Sequence, residues 1–141
     1  MRKPLVLGAL LLVSGCSLSI CAPEPIEGYW TSAAGAVVHM TKSGSGFEGV
    51  VVQKRNQGDC PEPVGDVLFK LQGSGQHYTG QWQWWRSPAC DRRFANNATV
   101  DLKNSGNTAH VCSKDPFDSS SGGQCLDFTR VKNFKPSASP R

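Results

Sequence analysis

The feature that most constrains this chain is its period. Apolar side chains between residues 28 and 132 recur at every second position in short runs. No window longer than about ten residues keeps them on one helical face. Val67, Phe69 and Leu71 share one face of a run, and Tyr78, Gly80, Trp82 and Trp84 share one face of the next. Ala98, Val100 and Leu102 do the same, and Leu126 and Phe128 alternate with Asp127 and Thr129. Period two puts successive side chains on opposite faces of a strand. The pattern predicts eight strands, at 29–31, 36–41, 47–53, 66–71, 77–85, 98–103, 108–112 and 125–131.

The connections between these strands are of two kinds. Ser43-Gly44-Ser45-Gly46, Gly73-Ser74-Gly75 and Asn104-Ser105-Gly106-Asn107 are short and rich in residues that tolerate the positive φ of a tight hairpin. Residues 54–65, 86–97 and 113–124 form long loops. In an up-and-down antiparallel meander, alternate connections fall at opposite ends, so every tight turn lies at one end and every long loop at the other. About eight strands suffice to close a small barrel and remove its edges. The fold expected is therefore all-β, a closed or nearly closed meander with a tight bottom and an elaborated rim. Its first strand starts at the bottom, so the preceding chain leaves from the end opposite the rim.

Cysteine placement fits that geometry. Of the six cysteines, Cys60 lies in the first long loop and Cys90 in the second, while Cys112 and Cys125 bracket the third. All four gather at the rim, which proximity for pairing requires. Four cysteines allow three connectivities; the loop positions favour Cys112–Cys125 across one hairpin and Cys60–Cys90 between the other two loops. No cysteine or histidine spacing points to a metal, and no cofactor motif occurs. The segment 115–119 is acidic but lacks the spaced carboxylates of a calcium loop.

Two disulfides imply an oxidising compartment, and the N-terminus supplies a route there. Arg2 and Lys3 precede an apolar run over 5–13, of signal-peptide length and too short to span a bilayer. It ends in Val13-Ser14-Gly15-Cys16, which resembles a lipobox, whose cysteine becomes lipidated and N-terminal. On this reading 1–15 is a signal peptide and 16–27 a lipid-bearing flexible tether holding the unassigned Cys21. The barrel domain then spans 28–132, and 133–141 is a flexible tail. The partner is a membrane, reached through the lipid on Cys16; the rival is ordinary secretory cleavage to a soluble product. Without the leader the chain carries 13 basic and 11 acidic residues, too balanced for a nucleic-acid surface.

Gly28-Tyr29-Trp30, at the opening of the first strand, resembles the Gly-x-Trp start of calycin barrels such as lipocalins and avidins. Phe47-Glu48-Gly49, Thr79-Gly80-Gln81-Trp82 and the closing Phe128-Thr129-Arg130-Val131 extend the resemblance to an uncharacterised family of secreted bacterial calycin-like proteins. That family closes on Trp-x-Arg, and Phe128 stands here for the tryptophan. The resemblance implies a calycin-like barrel; the polar set with which avidins hold biotin is not recognisable.

The rim also carries the candidate ligand-binding residues. Trp84 and Trp85 end the fifth strand, on opposite faces, and Arg86, Arg92 and Arg93 follow in the second long loop. Aromatic faces suit apolar or sugar ligands, and guanidinium forks suit carboxylates or phosphates. No nucleophile motif is present, and His39, His77 and His110 are expected on strand surfaces, so the reading is non-enzymatic. The expectation is an exported cell-envelope lipoprotein that binds a small apolar or sugar ligand, or an envelope protein, at the rim. The alternatives are a structural or stress-associated envelope protein with a filled core, and an inhibitor using a disulfide-rigid loop.

Overall fold

The computed structural model describes residues 22–86, 89–113 and 123–136, with the backbone alone for Arg86, Arg92 and Arg93. Eight strands follow in order: β1 (Gly28–Ser32), β2 (Val37–Ser43), β3 (Gly46–Gln53), β4 (Val67–Ser74), β5 (His77–Arg86), β6 (Arg92–Lys103), β7 (Thr108–Ser113) and β8 (Gln124–Val131). Each pairs antiparallel with the next, and β8 returns to pair with β1, so the meander closes into a barrel. No helix occurs among the described residues, and none there is long and apolar enough to cross a membrane. The leader, Cys16 and Cys21 lie outside the described residues, as do most of the third long loop and the end of the tail.

The alternation in sequence becomes the inside and outside of the barrel. Trp30, Val38, Met40, Phe47, Val51, Phe69, Leu71, Tyr78, Val100, Val111 and Phe128 are buried in one core. Glycine allows the wall to close where strands meet tightly. A Cβ on Gly80 would stand 1.9 Å from the Lys70 carbonyl oxygen on β4, so this strand crossing admits no side chain. Register shifts at Val37/Val38 and at Gly49/Val50 break strict alternation. Beside them the consecutive pairs Val37 with Val38, and Leu68 with Phe69, are buried together. Such bulges re-aim side chains and add local twist.

The tight-turn end is filled. Ile26, only 2% exposed, plugs it from just before β1, and its carbonyl accepts a 2.9 Å hydrogen bond from Trp30 Nε1. The segment read from sequence as a tether is thus packed into the core by residue 26, because an isoleucine there covers the barrel bottom. Over Trp30 lies the Arg130 guanidinium, 4.2 Å from the ring centroid. Its Nη1 donates to the Glu27 carbonyl at 2.8 Å, its Nε to that of Gly106 at 3.0 Å, and its Nη2 to that of Pro25. Burial draws the Arg130 pKa below the ordinary guanidinium value. Gly28 takes a φ of +123°, and a Cβ there would meet Arg130 Nη1 at 2.9 Å. The chain before β1 leaves from this end, opposite the long loops.

The main departure from the strand pattern is β6. It begins at Arg92 rather than at residue 98, so Arg92 and Arg93 are strand residues and the connection shrinks to residues 87–91. Among the described residues, 92–97 pair with β5, and the β6–β7 ladder starts at Ala98 and Ser113. At ~3.3 Å per residue this arm extends β6 by about 20 Å before that ladder. Its inward positions carry Phe94 and the polar Asn96 rather than a run of apolar residues, so the usual strand signature is absent. The first tail residues also pack back, with Phe134 5.1 Å from the Tyr29 ring.

Two consequences are measurable. Arg130→Ala removes three hydrogen bonds and a ring contact from a partly buried site and should lower unfolding free energy by about 2–3 kcal/mol in urea titration. Tyr78 is fully buried and donates to the Gly75 carbonyl at 3.0 Å. Burial pushes its pKa above the ordinary 10.0, aided by the Glu24 and Glu27 carboxylates and opposed by a backbone hydrogen bond from Ile26. A phenol pKa raised by folding means that the unfolded chain ionises first. Its contribution is whole below about pH 10 and falls as pH climbs towards the folded value. Thermal melts should show stability dropping above that pH, with a shallower drop in Tyr78→Phe.

Candidate functional site at the barrel rim

The two ends of the barrel differ in filling. Below Phe128 the interior holds a narrow void of about 20 Å³. Above it, among the long loops, a cavity of about 480 Å³ opens to solvent. That lies within the ~300–1,000 Å³ usual for small-molecule sites. Phe128, Leu126 and Leu68 line its apolar part, and the walls come from Trp82, Trp84 and Trp85.

An aromatic chain runs from the rim to this floor. Trp84 meets Trp82 edge-on at 6.2 Å between centroids, Trp82 meets Phe69 at 5.8 Å, and Phe69 meets Phe128 edge-on at 5.6 Å. Trp84 and Trp85 alternate on β5, yet both border the cavity. Trp85 is held by a hydrogen bond from Nε1 to the carboxylate of Asp66, just before β4. The backbone register pairs Trp85 with Arg93 and Arg86 with Arg92. The side chains of these three arginines lie outside the described structure.

Three polar side chains stand within the apolar lining. Ser32 of β1, Asn96 of β6 and Ser113 of β7 are 8, 6 and 7% exposed, and all line the cavity. None has a side-chain hydrogen bond among the described residues. None of their polar atoms is sealed from solvent without a partner, so what remains open in each faces the cavity. The sequence hid Asn96 because asparagine between Ala95 and Asn97 reads as loop. The twofold alternation Phe94, Asn96, Ala98 was the available signal, and it carries only one large apolar residue.

The rim is held by its own fastenings. Two disulfides occur among the described residues, Cys60–Cys90, spanning 30 residues, and Cys112–Cys125, spanning 13. Cys60–Cys90 ties the β3–β4 loop to the tip of the β5–β6 arm. Arg55 organises the same loop from inside. Its Nε pairs with Glu62 at 3.2 Å, and its Nη2 donates to the carbonyls of Cys60, at 2.8 Å, and Asp59. Arg55 and Glu62 both line the cavity, so its only described carboxylate is already neutralised.

Comparison with protein-family models, with curated proteins and with solved structures finds no match.

Asn96 offers a direct check of what the cavity is for. Its amide has no side-chain hydrogen bond among the described residues and opens on the cavity rather than being sealed. Asn96→Leu, similar in size, should therefore leave unfolding free energy unchanged within about 1 kcal/mol in urea titration. A loss instead would show that the amide serves the fold.

Proposed function

We propose that this protein is an exported, lipid-anchored binding module of the cell envelope, built on a calycin-like barrel, which takes a small ligand into the rim cavity. One observation carries the reading: three nearly buried polar side chains, Ser32, Asn96 and Ser113, open into a tryptophan-walled space with no side-chain hydrogen bond among the described residues. Apolar lining with a few convergent polar groups is the usual make-up of a ligand pocket. A ligand with one apolar or ring face and hydrogen-bonding groups on its edge, such as a sugar ring, satisfies both.

The binding is non-enzymatic. Among the described lining residues neither Ser32 nor Ser113 has a histidine or an unpaired carboxylate beside it. The hollow upper half speaks against a purely structural barrel. The β5–β6 arm is the element an inhibitor would present, but Cys60–Cys90 and the Trp85–Asp66 hydrogen bond bind it back to the β3–β4 loop.

The two disulfides fit an oxidising, extracytoplasmic setting. The lipid on Cys16 rests on the Val13-Ser14-Gly15-Cys16 sequence. With the chain before β1 leaving from the filled end, that anchor would hold the cavity mouth away from the membrane.

Mass spectrometry of the protein extracted from its own envelope tests both parts. Denatured, the wild type should carry acyl-chain mass that Cys16→Ser lacks. Native, it should retain a small molecule that Trp84→Ala releases. An unmodified Cys16 sinks the anchor, and ligand-free wild type in mild extraction sinks the binding module.

A further inference from the structure

The outer face of β7 and β8, away from the cavity, carries a second constellation. His110 and Asp127 are direct cross-strand partners, and so are Cys112 and Cys125 one step along the same face. The Asp127 carboxylate lies 2.6 Å from His110 Nδ1, and His110 Nε2 lies 3.3 Å from Cys112 Sγ. Asp127 therefore accepts from Nδ1 and turns the other ring nitrogen towards the sulfur. A carboxylate, an imidazole and a cysteine sulfur in this order form the relay that activates a thiol in nucleophilic enzymes. Here the sulfur is half of a disulfide, so the relay bears on how that bond opens.

We propose that Cys112–Cys125 is an exchange-active disulfide, opened by an external dithiol through attack on Cys125, with His110 receiving the departing Cys112 thiolate. The two sulfurs differ as the step requires. Cys125 is exposed to an incoming thiolate, whereas Cys112 is half-buried against the imidazole. The dithiol's thiolate forms a bond to Cys125 Sγ, the Sγ–Sγ bond breaks, and its electron pair leaves on Cys112. A protonated His110 Nε2, oriented by Asp127, faces that charge and donates to it. The dithiol's second thiol gives up its proton, closes on the mixed disulfide at the dithiol's own first sulfur and expels Cys125 as a thiolate, which takes that proton up. Two electrons and two protons pass from the dithiol, which ends as a disulfide, to the cysteine pair, which ends as two thiols. Departure is faster the better the leaving thiolate is stabilised.

Register makes the change reversible. Cys112 and Cys125 face each other in a ladder that runs from Thr108–Thr129 to Ser113–Gln124. Backbone pairing holds the two thiols together after the bond opens. Cys60–Cys90 has neither property. Its sulfurs sit on two separate loops, and Cys60, 5% exposed, would have to leave as a buried thiolate. No histidine lies beside it among the described residues.

The experiment is a timed reduction of the full chain with dithiothreitol, acid-quenched, alkylated and mapped by peptide mass spectrometry. Cys112–Cys125 should open about tenfold faster than Cys60–Cys90 or more, and His110→Gln should slow the first by about tenfold while leaving the second unchanged. Asp127→Asn should slow it less, in the same direction. The Cys60–Cys90 rate in each variant reports whether the barrel has stayed intact. A brief exposure to the monothiol 2-mercaptoethanol should trap the adduct on Cys125. Equal rates for the two disulfides, an adduct on Cys112, or His110→Gln opening at the wild-type rate would each overturn the proposal.

Discussion

A closed barrel depends on its first and last strands finding each other, and here that closure runs through one side chain. Arg130 stands on β8 and covers Trp30 on β1. Its three nitrogens hold carbonyls of Pro25, Glu27 and Gly106, drawn from the chain entry and the β6–β7 turn. A planar guanidinium can stack on a ring and donate in its own plane at the same time, which lysine cannot do. Trp30 in turn donates to the carbonyl of Ile26, whose side chain fills the bottom. Closure, the plug and a tight turn are thus one assembly, and the local glycine conformation at residue 28 exists to leave room for it. The upper half of the barrel can be open because the lower half is locked in this way.

The open half meets a different requirement. Where the interior is hollow, apolar burial contributes less, and the walls need other means of holding their shape. The disulfides are placed there. Cys60–Cys90 fastens the β3–β4 loop to the β5–β6 arm, and Arg55 with Glu62 braces the same loop. Each covalent link restricts mainly the unfolded chain, which stabilises the fold by about 3 kcal/mol for a loop near 15 residues. Cys60–Cys90 is therefore less a remedy for a small core than part of the frame of a cavity that core packing does not sustain.

How far this was legible in sequence follows from the same division. In the filled half, inward positions are large and apolar, so period two marked β4, β5, β7 and β8 to within a few residues. Glycine-rich turns placed the tight end, and the loop positions of the cysteines gathered the staples at the other. In the hollow half the rule fails, because positions that face a cavity need not be apolar. Arg92 to Asn97 therefore read as loop, although the chain is extended there and Asn96 points into the site. Trp84 and Trp85 could be placed at the rim from strand length alone. The role of Ser32 and Ser113 could not, since a serine at a strand end carries no mark of what it faces. Ile26 was hidden for the converse reason, being a lone apolar residue in a proline-rich stretch.

The His110–Asp127 pair shows a further limit. These residues are 17 positions apart in sequence, and only the β7–β8 register makes them neighbours. A slip of one residue would leave both side chains on opposite faces and send Cys125 inward. The register is set by burial of Val111 with Leu126 and of Ala109 with Phe128 on the inner face. The apolar side chains that fill the barrel thus determine which polar groups meet outside it. Chemistry on the outer wall is written in the core, so a sequence yields it only after every inward residue has been paired correctly.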